Sequence, residues 1–145
     1  GEDYLYNWVK VNGEYASEFT LNSMLADELG IPSLFLSGDK GICSDASAQY
    51  PGIVTVATKE GIGNGTWNLH PEDVNEQIEQ RITEILSNPL PKAKALTDSY
   101  TMELCFKDHQ RARTASWYPG AEQIDPFTVS ITEKTPLALA IARCI

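Results

Sequence analysis

The run Asn12-Gly13-Glu14-Tyr15-Ala16-Ser17-Glu18 sets a carboxylate at the mouth of a helix, directly after a strand and a tight turn. Asn-Gly is the strongest short turn signal, because both central residues of a type I′ turn need positive φ. Ser17 reads as the helix N-cap, so the charge of Glu18 lies beside the partly positive helix end. Judged by position alone, Glu18 is an acid that offsets the helix dipole by about 0.3–1 kcal/mol. A carboxylate held at a helix terminus also has the limited rotamer freedom that a metal ligand needs. Asn22 lies one turn further on the same face, where it either orients that carboxylate or is simply solvated. Asp39 follows Gly38 at the end of a short apolar strand, the end at which α/β sheets bind ligands. Capping the next helix is the commoner duty of such an aspartate and the favoured one here.

Other reactive types lack supporting context. Gly61-Ile62-Gly63-Asn64-Gly65 has neither the Lys-Ser/Thr of a P-loop nor the spacing of a dinucleotide fingerprint. It reads instead as a mobile loop beside a substrate mouth, with Trp67 as an apolar contact. His70 leads into a helix, His109 sits in the polar run Lys107–Arg111, and neither has a second His or Cys at metal spacing. There is no Gly-x-Ser-x-Gly elbow, and Gly1 offers no N-terminal nucleophile.

These side chains must be carried by an alternation of strands and helices. Tyr4–Val11 reads as a strand with Tyr4, Tyr6 and Trp8 on one face. Leu21, Met24, Leu25 and Leu29 keep helical spacing over Glu18–Leu29, which Gly30-Ile31-Pro32 stops. The apolar run Ser33–Ser37 predicts a covered strand, Ile42–Tyr50 a helix, and Ile53–Ala57 a second covered strand. Glu60–Asn68, with three glycines in five positions, predicts loop. Pro71 opens the clearest helix, marked by Val74, Ile78, Ile82 and Ile85. Asn88-Pro89-Leu90-Pro91-Lys92 breaks it, and residues 88–98 are the candidate internal linker. Then come a strand over Tyr100–Phe106, a polar helix over Lys107–Ser116, a Pro119-Gly120 turn, a strand over Phe127–Thr132 and a helix from Thr135-Pro136. The predicted fold class is α/β, with a mixed, largely parallel sheet flanked by helices and room for an antiparallel edge.

With 145 residues, 42% of them hydrophobic, and no low-complexity tract, the chain reads as a globular domain. A net charge of -9 argues against a nucleic-acid partner, which would need clustered Lys and Arg. Cys43, Cys105 and Cys144 are odd in number and far apart, which suits a reducing cytoplasm. The apolar stretch Pro136–Ile145 is too short to cross a bilayer, so no membrane partner is expected. The Gly1 start reads as a tag remnant, a fragment or a processed product.

In order along the chain, Val11-Asn12-Gly13, Ser17-Glu18, Leu21-Asn22, Gly30-Ile31-Pro32 and Leu36-Ser37-Gly38-Asp39 precede Tyr50-Pro51 and Lys59-Glu60-Gly61. Leu69-His70-Pro71, Phe106, Ala112, Ala115 and Pro119-Gly120 follow. On these motifs the whole of 1–145 resembles the C-terminal half of the DppA-type D-aminopeptidases, zinc metallopeptidases that remove N-terminal D-amino acids from short peptides. The resemblance implies two zinc ions held by five side chains. Four of these, an Asp, a Glu and two His, belong to the N-terminal half, and the fifth falls on Glu18. A further catalytic His would lie just before Gly1. In such a centre the paired zinc ions lower the pKa of a water and polarise the scissile carbonyl. The resemblance thus implies a metallo-aminopeptidase, inactive as this segment alone, that acts with its own N-terminal half and assembles as a ring-like homo-oligomer. Arg113 and Trp117 depart from the family's character. A rival reading from another class is a non-catalytic α/β module kept for assembly or ligand binding after loss of the metal half.

Overall fold

The computed structural model describes residues 4–62, 65–68 and 70–144, which divide into two compact units. One takes the chain up to Leu29 and from Ala95 onward; the other is Gly30–Lys94.

The first unit is built on strand β1 (Tyr6–Val11), which turns through Asn12-Gly13 into the short β2 (Glu14–Tyr15). Both turn residues have positive φ, 51° and 83°, as a two-residue hairpin with right-handed strand twist demands. Helix α1 (Glu18–Glu28) follows directly. The chain returns as β6 (Tyr100–Phe106), α4 (His109–Ala115), β7 (Ala121–Asp125), β8 (Thr128–Glu133) and α5 (Pro136–Ala142). The five strands form a sheet of order β2-β1-β6-β8-β7, and all its neighbours are antiparallel. Met102 and Leu104 of β6, Val129 and Ile131 of β8, and Leu139 of α5 are almost wholly buried in its core. Leu21 of α1 and Ala112 and Ala115 of α4 complete the packing.

The second unit contains β3 (Phe35–Asp39), α2 (Lys40–Gln49), β4 (Val54–Ile62), β5 (Gly65–Asn68) and α3 (Pro71–Leu86). Strands β3 and β4 pair in parallel, the direction a helical crossover imposes, and β4 pairs antiparallel with β5. Gly38 lets α2 fold back tightly, since a Cβ there would lie 2.7 Å from Ile42 Cγ2.

The mixed α/β class therefore stands, but the main sheet is antiparallel rather than parallel. The helices of the first unit do not return the chain to a neighbouring parallel strand; β6 pairs with β1 across some ninety residues of chain, which no local pattern specifies. Three further expectations are corrected. Glu60–Ile62 and Gly65–Asn68 are strand, not loop, because the cross-strand ladder supplies the hydrogen bonds that outweigh glycine's weak propensity; Gly63 and Asn64 lie outside the described residues. Ala121–Asp125 is an additional strand, the exposed edge of the sheet, with too few apolar residues to announce itself. Tyr4, Tyr6 and Trp8 do not share a face: Tyr6 pairs with Phe106 but Trp8 with Cys105, so Asn7 is a bulge that turns Trp8 to the opposite side. His70 leads into α3 as expected, its Nδ1 accepting from the Glu72 N–H.

Candidate functional site

A hairpin, its clasp to β6 and a helix cap position Glu18. Asn12 N–H donates to the Thr101 carbonyl and the Thr101 N–H donates to Asn12 Oδ1, both at 2.8 Å, so the hairpin turn is fastened to the central strand β6. After the hairpin, the Ala16 N–H donates back to the Val9 carbonyl at 2.9 Å. Ser17 caps α1, its Oγ accepting from the Thr20 N–H at 3.3 Å while Thr20 Oγ1 accepts from the Ser17 N–H at 3.0 Å. This reciprocal capping box satisfies two backbone donors at the helix end. Glu18 is then the first helical residue, and Leu21, three residues on, is buried as the anchor.

Glu18 borders a cavity of about 390 Å³ that lies wholly within the first unit. Its other main walls are Tyr6, Trp8 and Tyr15 from the hairpin, Leu21 from α1 and Arg143 beyond α5. Trp8 and Tyr15 meet edge to face at 6.3 Å between ring centroids. Lys10 Nζ sits over both rings, 4.9 Å from the first centroid and 4.7 Å from the second, fixing the aromatic pair by cation–π attraction. The Tyr6 phenol is pushed above its ordinary pKa, first by burial, then by the Cys144 thiol, with Arg111 opposing. Burial likewise pulls the Arg143 guanidinium below its ordinary value, with Cys144 opposing. Arg143 nonetheless keeps its charge at any physiological pH. The cavity thus joins one carboxylate, one guanidinium and three aromatic rings.

Asn22 is exposed on α1 one turn after Glu18, and no hydrogen bond joins the two among the described residues. Asp39 belongs to the second unit, where its Oδ1 accepts from the Ile42 N–H at 2.8 Å as the N-cap of α2. The helix-capping role is therefore occupied. Sequence reasoning did not single out Arg143, Tyr15 or the cavity-forming role of Trp8. Alternating aromatics on β1 were a signal for Trp8; nothing local marks an arginine at the end of a short apolar helix.

A family model described as D-aminopeptidase matches residues 3–142. The chain belongs to this peptidase family. A D-aminopeptidase of Bacillus subtilis is 26% identical over 115 residues, which cover 77% of this chain and 42% of the relative. A solved structure, described as the Zn-dependent D-aminopeptidase DppA from Bacillus subtilis, a self-compartmentalizing protease, superimposes with a TM-score of 0.85 at 22% identity. That superposition covers 97% of this chain and 52% of the solved one, so the chain spans about half the length of the proteins it matches. The shared fold is thereby established for mixed α/β architecture. No described helix is long and apolar enough to cross a membrane.

Zinc sites draw on three or four protein donors. Among the described residues no group of three or more His, Cys, Asp or Glu side chains converges. The carboxylate of Glu18 stands exposed at the cavity edge.

Proposed function

We propose that this chain is the C-terminal portion of a zinc-dependent aminopeptidase that hydrolyses short peptides with N-terminal D-residues. In this reading Glu18 supplies one ligand of a two-zinc centre whose other ligands come from the enzyme's N-terminal half. The observation that carries the proposal is the placement of Glu18: a rigidly capped first-turn carboxylate, exposed, on the wall of a cavity large enough for a small ligand. Family membership and the zinc dependence of the solved relative support the choice of metal and reaction.

Bound zinc would supply Lewis acidity, activating water and polarising the scissile carbonyl. The chain's own residues place Glu18. The capping box and the Asn12–Thr101 clasp hold the backbone from which the Glu18 carboxylate projects, Asn22 stands one turn away as a candidate to steady it from outside, and Tyr6, Trp8 and Tyr15 wall the cavity it borders. Asp39, the N-cap of α2, stands at the carboxyl end of β3 within the second unit, where any ligand contact it makes would be that unit's own. The self-compartmentalizing character of the solved relative supports a homo-oligomer, and 88–98 would serve as the linker between layers of the fold.

Hydrolysis tests the reading. When the chain is joined to an N-terminal half carrying an Asp, a Glu and two His ligands, D-alanyl-D-alanine should be cleaved in preference to L-alanyl-L-alanine. Preference for the L-peptide would overturn the D-specificity, and inactivity of a folded, zinc-loaded assembly would overturn the peptidase reading and favour a non-catalytic module.

A further inference from the structure

A sheet edge exposes a row of backbone donors and acceptors, and folded proteins blunt it with short length, charge or bulges. Both edges of the first unit's sheet are blunted in this way: β2 has two residues, and β7 carries Glu122 and Asp125 and a register break between Gln123 and Asp125. The edge that β3 forms in the second unit is not. Phe35, Leu36, Ser37 and Gly38 carry no charge, and Asp39, the last residue, is engaged in capping α2. The Leu34 carbonyl, just before the strand, accepts from the Val54 N–H at 3.1 Å. Because successive residues of a strand turn their backbone groups to opposite sides, Leu34, Leu36 and Gly38 face β4, whereas the N–H and carbonyl groups of Phe35 and Ser37 face outward, where no described strand pairs with them.

The side chains of this strand are equally incomplete in their burial. Phe35 and Leu36 point to opposite faces of the sheet, and both are only half-buried, although α2 packs on β3 and β4 and α3 packs on β4. Parallel pairing with consecutive apolar residues is the pattern of a sheet interior, which is covered on both faces. From this geometry we infer that the outer edge of β3 receives a further parallel strand, apolar on both faces, from the N-terminal half of the longer protein. The inference rests on reading the chain as the C-terminal portion of such a protein. Relatives of this length leave room for the strand, since this chain covers only 42% of the D-aminopeptidase it matches and 52% of the solved structure. A second copy of the chain suits the edge less well. A two-fold axis pairs an edge strand antiparallel with its own copy, and each copy brings a net charge of -9 that repels the other. The added strand is held by main-chain hydrogen bonds, with Phe35 and Leu36 covered by its side chains.

Amide exchange in the metal-free protein reads this edge independently of catalysis. In the chain joined to its N-terminal half, exchange resolved to single residues by mass spectrometry should find the Phe35 and Ser37 amides protected to the level of Leu36 and Gly38. That is about a hundredfold or more slower than in the 145-residue chain alone, where only the inward amides are bonded. Ser37→Pro removes one outward donor, a change that the free side of an edge strand tolerates. The variant should melt close to the parent as the 145-residue chain, yet lose the gain in protection at Phe35 on joining. The comparison of outward with inward amides in the unaltered joined protein stands even if that variant fails to fold. Fast exchange at Phe35 and Ser37 in the folded joined protein overturns the inference, as does a helix or an antiparallel strand seated on β3 in its crystal structure. Protection already present in the 145-residue chain also overturns it, with dimerisation in sedimentation marking a second copy as the occupant. An unprotected β3 in an enzyme that binds two zinc ions and cleaves D-peptides sinks this inference and spares the peptidase reading; a protected β3 in an assembly that takes up no zinc does the reverse.

Discussion

The two units of the chain solve the problem of burial differently. In the first, an antiparallel sheet packs one face against helices, and Met102, Leu104, Val129, Ile131 and Leu139 lose nearly all contact with water. In the second, the buried residues among those described include Cys43, Ala46, Tyr50, Val56 and Val74, and α3 leaves Ile82 and Leu86 exposed. Glu18 and its cavity belong to the first. A ligand carboxylate needs fixed geometry, and fixed geometry comes from a core that the surrounding side chains over-determine.

The comparison is most easily broken in the core. Leu104→Ala should cost about 2–5 kcal/mol in urea denaturation, since its removal leaves a cavity in fully packed surroundings; a loss below 1 kcal/mol would mean the core is not the foundation described. Cap removal should act locally and less. Ser17→Ala and Asp39→Ala should each cost about 0.5–2 kcal/mol. Only the first should weaken zinc uptake by the assembled enzyme, because only Ser17 holds the helix that carries Glu18. Smaller still is Ile82→Ala on α3, expected within about 0.5 kcal/mol of the parent. Thiol chemistry gives the finest contrast. Burial raises the Cys43 pKa above its ordinary value, and the thiol donates weakly to the Gly38 and Val56 carbonyls, whereas Cys144 is exposed. Iodoacetamide should therefore label Cys144 first and Cys43 only as its unit opens; equal rates would contradict the packing of α2 on β4.

Local signals carried the site further than they carried the sheet. Asn12-Gly13 turns, Ser17 caps and Glu18 opens α1 as their residue types dictate, because each effect is settled within three or four residues. The strand over Tyr100–Phe106 and the helix from Pro71 were equally legible. Strand direction was not. That β1 lies antiparallel to β6, and that Asn7 bulges to send Trp8 away from Tyr6, are decided by a partner strand distant in sequence. The antiparallel pairing of β4 with β5 likewise rests on cross-strand hydrogen bonds that composition does not reveal. Arg143 entered the cavity only because α5 packs where it does, a tertiary fact with no local signature.

Zinc stoichiometry of the reconstituted enzyme bears most directly on the central claim. With this chain joined to its N-terminal half, equilibrium dialysis should find two zinc ions per protomer. Glu18→Gln, an exposed and nearly isosteric change, should lower that number and abolish cleavage of D-alanyl-D-alanine, while the metal-free protein loses no more than the roughly 0.3–1 kcal/mol of a first-turn acid. Two tightly held zinc ions in the Glu18→Gln protein would contradict the account.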